Sequence, residues 1–267
     1  MKYTVLTLFP EITDAYFATS IMAKAIQRGI VEYKAINVRD FAFDRHKTCD
    51  DAPYGGGPGM LMLPEPLGRA LEAAGARRKA AGQRDPGSTR VIYLSPSGRP
   101  FDQALAWELA GERDLVLLCG RYEGIDQRVI DLYIDDEVSV GDYVLSSGEV
   151  AALAIVDATY RLIGRVITPE SLDEESFSGG LLEYPQYTRP EIYDTIKVPD
   201  VLISGHHENI RHWRLERRVE KTLRNRPDLI LRGRESGLFD GETNGIIDRL
   251  LPARGNVAEG DTKDERD

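Results

Sequence analysis

The chain has 267 residues, 42% hydrophobic and 29% charged, with a formal net charge of −10 and a pI near 5.1. That is a globular composition with room for one large domain or two ordinary ones. It excludes a bilayer span, because no apolar run is long enough, and the opening MKYTVLTLFPEI is too short in apolar residues for a signal peptide, so a cytoplasmic protein with no membrane partner is expected.

The two cysteines, Cys49 and Cys119, form no CxxC pair, so neither a disulfide framework nor a structural zinc site is expected. Net acidity argues against a nucleic-acid partner, but the charge is unevenly placed. Residues 211–226, RHWRLERRVEKTLRNR, hold seven Arg or Lys and two Glu, whereas the last stretch, NVAEGDTKDERD, is acidic.

Taken in order, Tyr3 to Phe9 reads as a strand stopped by Pro10, and Ser20 to Arg28 as a helix ended by Gly29. Val31 to Val38 reads as a second strand. The polar stretch from Arg39 to Asp51, holding His46, is long for a connection, and long ordered loops tend to be functional. It leads into Pro53-Tyr54-Gly55-Gly56-Gly57-Pro58-Gly59-Met60, whose bare amides could cradle a phosphate or a base edge. This run is neither a P-loop nor a dinucleotide fingerprint.

Glu65 to Ala74 is a helix, Gly75 to Thr89 a mobile surface loop, and Arg90 to Ser95 a buried strand running into a Pro96-Ser97-Gly98 turn. A helix over Phe101 to Ala110 precedes the wholly apolar strand Leu115 to Cys119. That strand empties into Gly120-Arg121-Tyr122-Glu123-Gly124. Glu137 to Val140 empties likewise into Gly141-Asp142-Tyr143, and Ser147-Gly148-Glu149 opens an apolar helix from Val150 to Ile163. Strands alternating with helices predict a largely parallel α/β sheet, whose ligands sit at strand carboxyl ends. Asp157 and Arg161 share a face of that last helix, one turn apart.

Residues 1–166 are therefore expected to form the α/β domain, 167–180 a Ser-rich acidic linker, 181–255 a helical domain and 256–267 a disordered tail. In the helical domain Arg214, Arg218 and Lys221 fall on one helix face beside Trp213, a pattern suited to a polyanion. His206 and His207 are adjacent, point apart and make a poor metal pair.

Read together, Arg39-Asp40-Phe41 with Asp50-Asp51, the glycine run 53–60, Tyr93-Leu94-Ser95-Pro96, Cys119-Gly120-Arg121-Tyr122-Glu123-Gly124-Ile125-Asp126, Gly141-Asp142-Tyr143-Val144-Leu145, Tyr187-Thr188-Arg189-Pro190 and Ser204-Gly205-His206-His207 resemble the bacterial tRNA (guanine-N1)-methyltransferases. The likeness runs in order over nearly the whole chain before the tail. It implies a SPOUT-class α/β domain whose parallel sheet carries a deep trefoil knot, an exception to the rule against knots. It also implies a small helical C-terminal domain, a homodimer, S-adenosyl-L-methionine as methyl donor, and tRNA bearing guanosine at position 37 as acceptor. A magnesium requirement comes with the family, although the sequence offers no metal cage.

Carried over residue by residue, the donor pocket would comprise Tyr93, Leu94, Ser95, Pro96 and Ser97, then Gly120, Tyr122, Glu123 and Gly124, then the run Ser139 to Leu145 (Ser139, Val140, Gly141, Tyr143, Leu145) with Gly148. The acceptor side would use Asp50, Tyr54, Gly55, Gly59, Met60, Ser204, Arg214 and Arg218. The general base would be Glu175, directly before Ser176-Phe177, where the family has Asp, with Asp173 as a substitute. Arg161 would stabilise the charge that develops on guanine. Ser147-Gly148 stands where the family has a glycine pair, and Ala151 where it has proline. A catalytically silent knotted RNA-binding protein and a Rossmann-type methyltransferase of small molecules are the competing readings.

Overall fold

In the computed structural model the described residues are 1–79, 89–164, 166 and 175–251. Asp173, most of the expected linker, the middle of the loop before Arg90 and the acidic tail lie outside them. The chain forms two compact units, Met1–Thr168 and Pro169–Asp267.

The first unit runs β1 (Lys2–Thr7), α1 (Pro10–Phe17), α2 (Ser20–Gln27), β2 (Glu32–Asn37), β3 (Asp50–Asp51), β4 (Leu61–Met62), α3 (Pro64–Ala73), β5 (Arg90–Pro100), α4 (Gln103–Ala110), β6 (Asp114–Cys119), α5 (Gln127–Tyr133), β7 (Asp136–Ser139) and α6 (Glu149–Tyr160). Five strands build one parallel sheet in the order β2-β1-β6-β5-β7. The central strand β6 is apolar throughout because both its faces are covered. Val116 and Leu118 point into one core with Leu67, Leu71 and Val129, while Leu115, Leu117 and Cys119 point into the other with Leu109, Ile155 and Val156. The two-residue side-chain period of the strand thus feeds two helical layers.

In this unit α1, α5 and β5 depart most from the sequence reading. Pro10 does not merely stop β1: it opens α1, where its missing N–H costs nothing. The helix α5 is new, and Asp126 caps it by accepting a bond from the Arg128 amide at 2.9 Å. Strand β5 does not end at Ser95. It continues to Pro100, with a register shift that sets both Leu94 and Arg99 opposite Val138, so the expected turn is a bulge inside the strand.

At the far end of the sheet from these loops, the nearly buried Arg90 guanidinium holds Glu108 at 2.7 Å, Glu112 at 3.2 Å and Asp136 at 2.7 Å, tying β5, α4 and β7 together. Helix α4 begins with Asp102, whose carboxylate accepts the Leu105 amide at 2.9 Å. Asp102→Ala is expected to cost about 1 kcal/mol of stability by leaving that amide unpaired. Urea unfolding would read it as a lower midpoint at unchanged slope.

The second unit contains β8 (Ile192–Tyr193), β9 (Ile196–Lys197), α7 (Asp200–Ile203), α8 (His207–Asn225), α9 (Pro227–Glu235) and α10 (Gly241–Leu250). Leu181, Val219, Ile230, Ile246 and Ile247 form its core. The basic helix expected from Arg211 begins four residues earlier, at His207. An α/β domain on a parallel sheet, followed by a smaller helical part, is the architecture the sequence led us to expect.

Candidate active site

The bulge in β5 and the loops after β6 and β7 lie side by side at the carboxyl end of the sheet. They enclose a cavity of about 360 Å³ lined by 93–97, 120–124, 138–141, 143–148 and Ala151. Of the residues named above for the donor pocket, all but Asp142 in the run Ser139 to Leu145 stand on this wall. Arg121, Val138, Ser146, Ser147 and Ala151 join them. The first four are chain neighbours of named residues, so contiguity was the available signal. Ala151, which stands where the resemblance places a proline, reaches the wall from the first turn of α6.

The wall is held by short local bonds. The Ser95 and Ser97 hydroxyls are 2.7 Å apart, and Ser139 donates to the Gly141 carbonyl at 2.9 Å. The Gly148 amide donates to the Gly120 carbonyl at 3.0 Å, joining two of the loops directly. A Cβ at Gly148 would lie 2.8 Å from the Cys119 Cα and 2.9 Å from the Gly120 nitrogen, so only glycine allows this approach. The Tyr93 ring packs against Gly120. Burial, and then the charge of Glu137, push its phenol pKa up, so it stays a neutral hydroxyl.

The glycine run is joined to the same wall. The Glu123 amide donates to Met60 at 3.1 Å, the Met62 amide to Gly124 at 3.0 Å, and the Asp126 amide to Met62 at 3.2 Å. Gly59, at φ +84, passes so close to Glu123 that a Cβ would meet its side chain at 2.3 Å. Tyr122 adopts the left-handed conformation at φ 58. Its phenol is pushed up by burial and by its contact with Asp50, against the opposing pull of Arg39. Asp50, Gly59 and Met60 therefore border the cavity loop. Tyr54 and Gly55 occupy the outer tip, where Tyr54 is 100% exposed.

Arg161 caps the C-terminus of α6 and is half-buried. Asp157, placed beside it by helical spacing, accepts a hydrogen bond from Tyr16 of α1. That partner comes from a helix packed alongside, which spacing within α6 could not reveal.

In the second unit, Glu175 starts a tight turn whose carbonyl accepts the Ser178 amide at 3.1 Å, with Phe177 left-handed at φ 74. The turn is pinned to α8: Arg218 donates to the carbonyls of Ser178 (2.7 Å) and Leu182 (3.3 Å), and Thr222 accepts the Leu182 amide at 2.9 Å. Arg218, read from the sequence as an RNA-facing cation, is engaged by its own main chain. Arg214 lies over the Tyr184 ring, 4.8 Å from its centroid. Arg211 pairs with Glu242 at 2.9 Å, Arg217 with Glu220 at 2.6 Å and Arg226 with Asp228 at 2.8 Å. Much of the basic run is therefore neutralised by acids from α8, α9 and α10, a matching the linear charge count concealed. Ser204 is exposed and accepts the His206 amide at 3.2 Å.

Among the described residues no group of three or more His, Cys, Asp or Glu is placed to hold a metal ion. Nor, among them, is any helix long and apolar enough to cross a membrane.

The family model described as tRNA (Guanine-1)-methyltransferase TrmD matches residues 1–232. The chain belongs to this family. It is 60% identical over 247 residues to the tRNA (guanine-N(1)-)-methyltransferase of Treponema denticola, covering 92% of this chain and 98% of that one. It is 56% identical to the protein of the same name from Treponema pallidum, over 94% of this chain and 96% of the other. With the Borreliella burgdorferi protein of that name it shares 54% identity over 92% and 98% of the two chains. The match to the family model takes in the cavity loops, Arg161, Glu175 and all of α8. The parallel sheet with a helical C-terminal part is the SPOUT-type arrangement expected of the family.

Proposed function

We propose that this protein transfers the methyl group of S-adenosyl-L-methionine to N1 of the guanosine at position 37 of tRNA. The single observation that carries the reading is the 360 Å³ cavity at the sheet's carboxyl end, walled by the loops that the resemblance assigns to the donor. Its size and lining suit an adenosyl ligand: apolar surface from Tyr93, Leu94 and Ala151, and main-chain groups at the glycine turns. The bound sulfonium supplies an already activated methyl group. The protein's own task is then mainly to hold donor and acceptor in line.

Guanine N1 is protonated at neutral pH and must lose that proton to attack. Glu175 is the general base in this reading, and Arg161 stabilises the negative charge building on the neighbouring carbonyl oxygen. The turn pinned by Arg218 and Thr222 gives Glu175 a fixed main chain to act from. Asp50, Gly59 and Met60, which border the donor loop, take the base, while Tyr54, Gly55, Ser204 and Arg214 meet the RNA. A second copy of the chain completes the enzyme, as the apolar helix α6 with its 58% exposed Val150 and the 84% exposed Val144 suggests. In this reading the α/β domain carries the trefoil knot that the resemblance implies. The names of the relatives favour an enzyme over a silent RNA-binding protein, and the protein acts in the cytoplasm, where its tRNA is.

The test is incubation of purified protein with labelled donor and tRNA transcripts, followed by nucleoside analysis. N1-methylguanosine should form with guanosine at position 37 and vanish when that base is adenosine. Absence of methylguanosine from the first transcript would overturn the proposal.

A further inference from the structure

The donor wall is tied to the end of the neighbouring strand β1 by a carboxylate that the chemistry above does not use. Glu149, the first residue of α6, is 0% exposed. Its Oε1 accepts the Thr7 hydroxyl in a short hydrogen bond of 2.5 Å. Its Oε2 is buried with no hydrogen-bond partner among the described residues. A carboxylate in this state is expensive, and an apolar residue of similar size would serve stability as well or better. The positive end of α6 offsets part of the cost. What remains calls for a role other than stability.

Both ends of this contact reach the cavity. Glu149 directly follows Gly148, whose amide bonds Gly120 and whose Cα fits against the Cys119 and Gly120 backbone. Thr7 is the last residue of β1, and its oxygen also accepts the Phe9 amide at 2.9 Å. The Phe9 ring lies under the guanidinium of Arg121, 4.4 Å away, and Arg121 is on the cavity wall. One bonded line, Phe9 to Thr7 to Glu149, thus connects the loop after β6 with the start of α6 by a route behind the pocket. Cys119, between them, is fully buried, and its thiol is pushed well up by that burial and then by the Glu149 charge, so it stays an uncharged spacer.

We infer that Glu149 and Thr7 are positioning residues for the donor pocket: their bond sets the gap between the loop after β6 and the head of α6, and with it the fit of the adenosyl ligand. The inference rests on the donor reading of the cavity. A merely stabilising contact would lower the melting temperature in proportion to its strength and leave the affinity of the folded protein alone. The positioning role predicts the reverse pattern.

The experiment compares Thr7→Val, Thr7→Ser, Glu149→Leu and the double variant Thr7→Val/Glu149→Leu. S-adenosyl-L-methionine is titrated calorimetrically against each folded protein, with melting temperature measured in parallel. Thr7→Val should weaken donor binding on the order of tenfold, the size of one buried charge-assisted bond. Thr7→Ser should stay within about twofold of wild type, and the double variant should be no weaker than the worse single one, since both cut the same link. If Glu149→Leu does not fold, the Thr7 pair alone decides. Wild-type donor affinity in Thr7→Val overturns the inference, as does an equal loss in Thr7→Ser. Amide hydrogen exchange at Gly120 and Gly148 reads the link without ligand: it should quicken in Thr7→Val. A wild-type protein that binds no donor would remove the donor reading, while unchanged exchange in the variant would remove this one.

Discussion

Glu175→Gln should slow methyl transfer about a thousandfold, the middle of the range for a lost general base, while donor affinity stays within about twofold. The amide is nearly isosteric but cannot accept the N1 proton. Its main chain is fixed by the bonds of Arg218 and Thr222 to the same turn, so the substitution changes chemistry and not placement. Arg161→Ala should fall comparably, because a preorganised cation facing developing charge is worth about two to three orders of magnitude. Arg161→Lys should recover little, since a point charge does not reproduce a planar fork. The signature is a loss in single-turnover rate with unaltered donor titration. A Glu175→Gln protein with full activity would move the base elsewhere, and one that also lost donor binding would show that Glu175 belongs to the pocket.

Gly148→Ala is expected to reduce donor affinity on the order of a hundredfold, the penalty of shifting a bound group by about an ångström. Its φ of −79 suits any residue, so backbone strain is not the cause. The added methyl would sit 2.8 Å from the Cys119 Cα, and that neighbour is main chain at the buried end of β6, which has nowhere to go. The loops must part, stretching the bond between the Gly148 amide and Gly120. A stability loss of about 1 to 3 kcal/mol accompanies such overpacking. Gly245→Ala is the control: it lies inside α10 with no atom within 4 Å of the added carbon, and should be neutral or slightly stabilising. Equal donor binding by wild type and Gly148→Ala would mean that this contact does not shape the pocket.

What could be read from the sequence was what has a local cause. The run Leu115 to Cys119 announced a strand covered on both faces, and the glycine turns after it announced the loops, because backbone geometry forces those residue types there. The ordered motifs placed the cavity wall on the chain before its geometry was known. What could not be read were partners supplied from afar. Tyr16 takes Asp157, and Glu242 neutralises Arg211. Arg218 turns inward to Ser178 and Leu182. None of these depends on spacing within one element. Helix α5 escaped notice because its seven residues are too few for a periodic signal. The bulge at Ser95 to Gly98 looked like a turn because its glycine and proline serve both.

The central claim is that the loops after β5, β6 and β7 grip an adenosyl sulfonium. Calorimetric titration of the purified protein with S-adenosyl-L-methionine tests it most directly. Saturable binding that is weakened on the order of a hundredfold in Gly148→Ala and retained in Glu175→Gln is the predicted result. A protein that takes up no heat from the donor, or whose binding is indifferent to Gly148, would contradict the account.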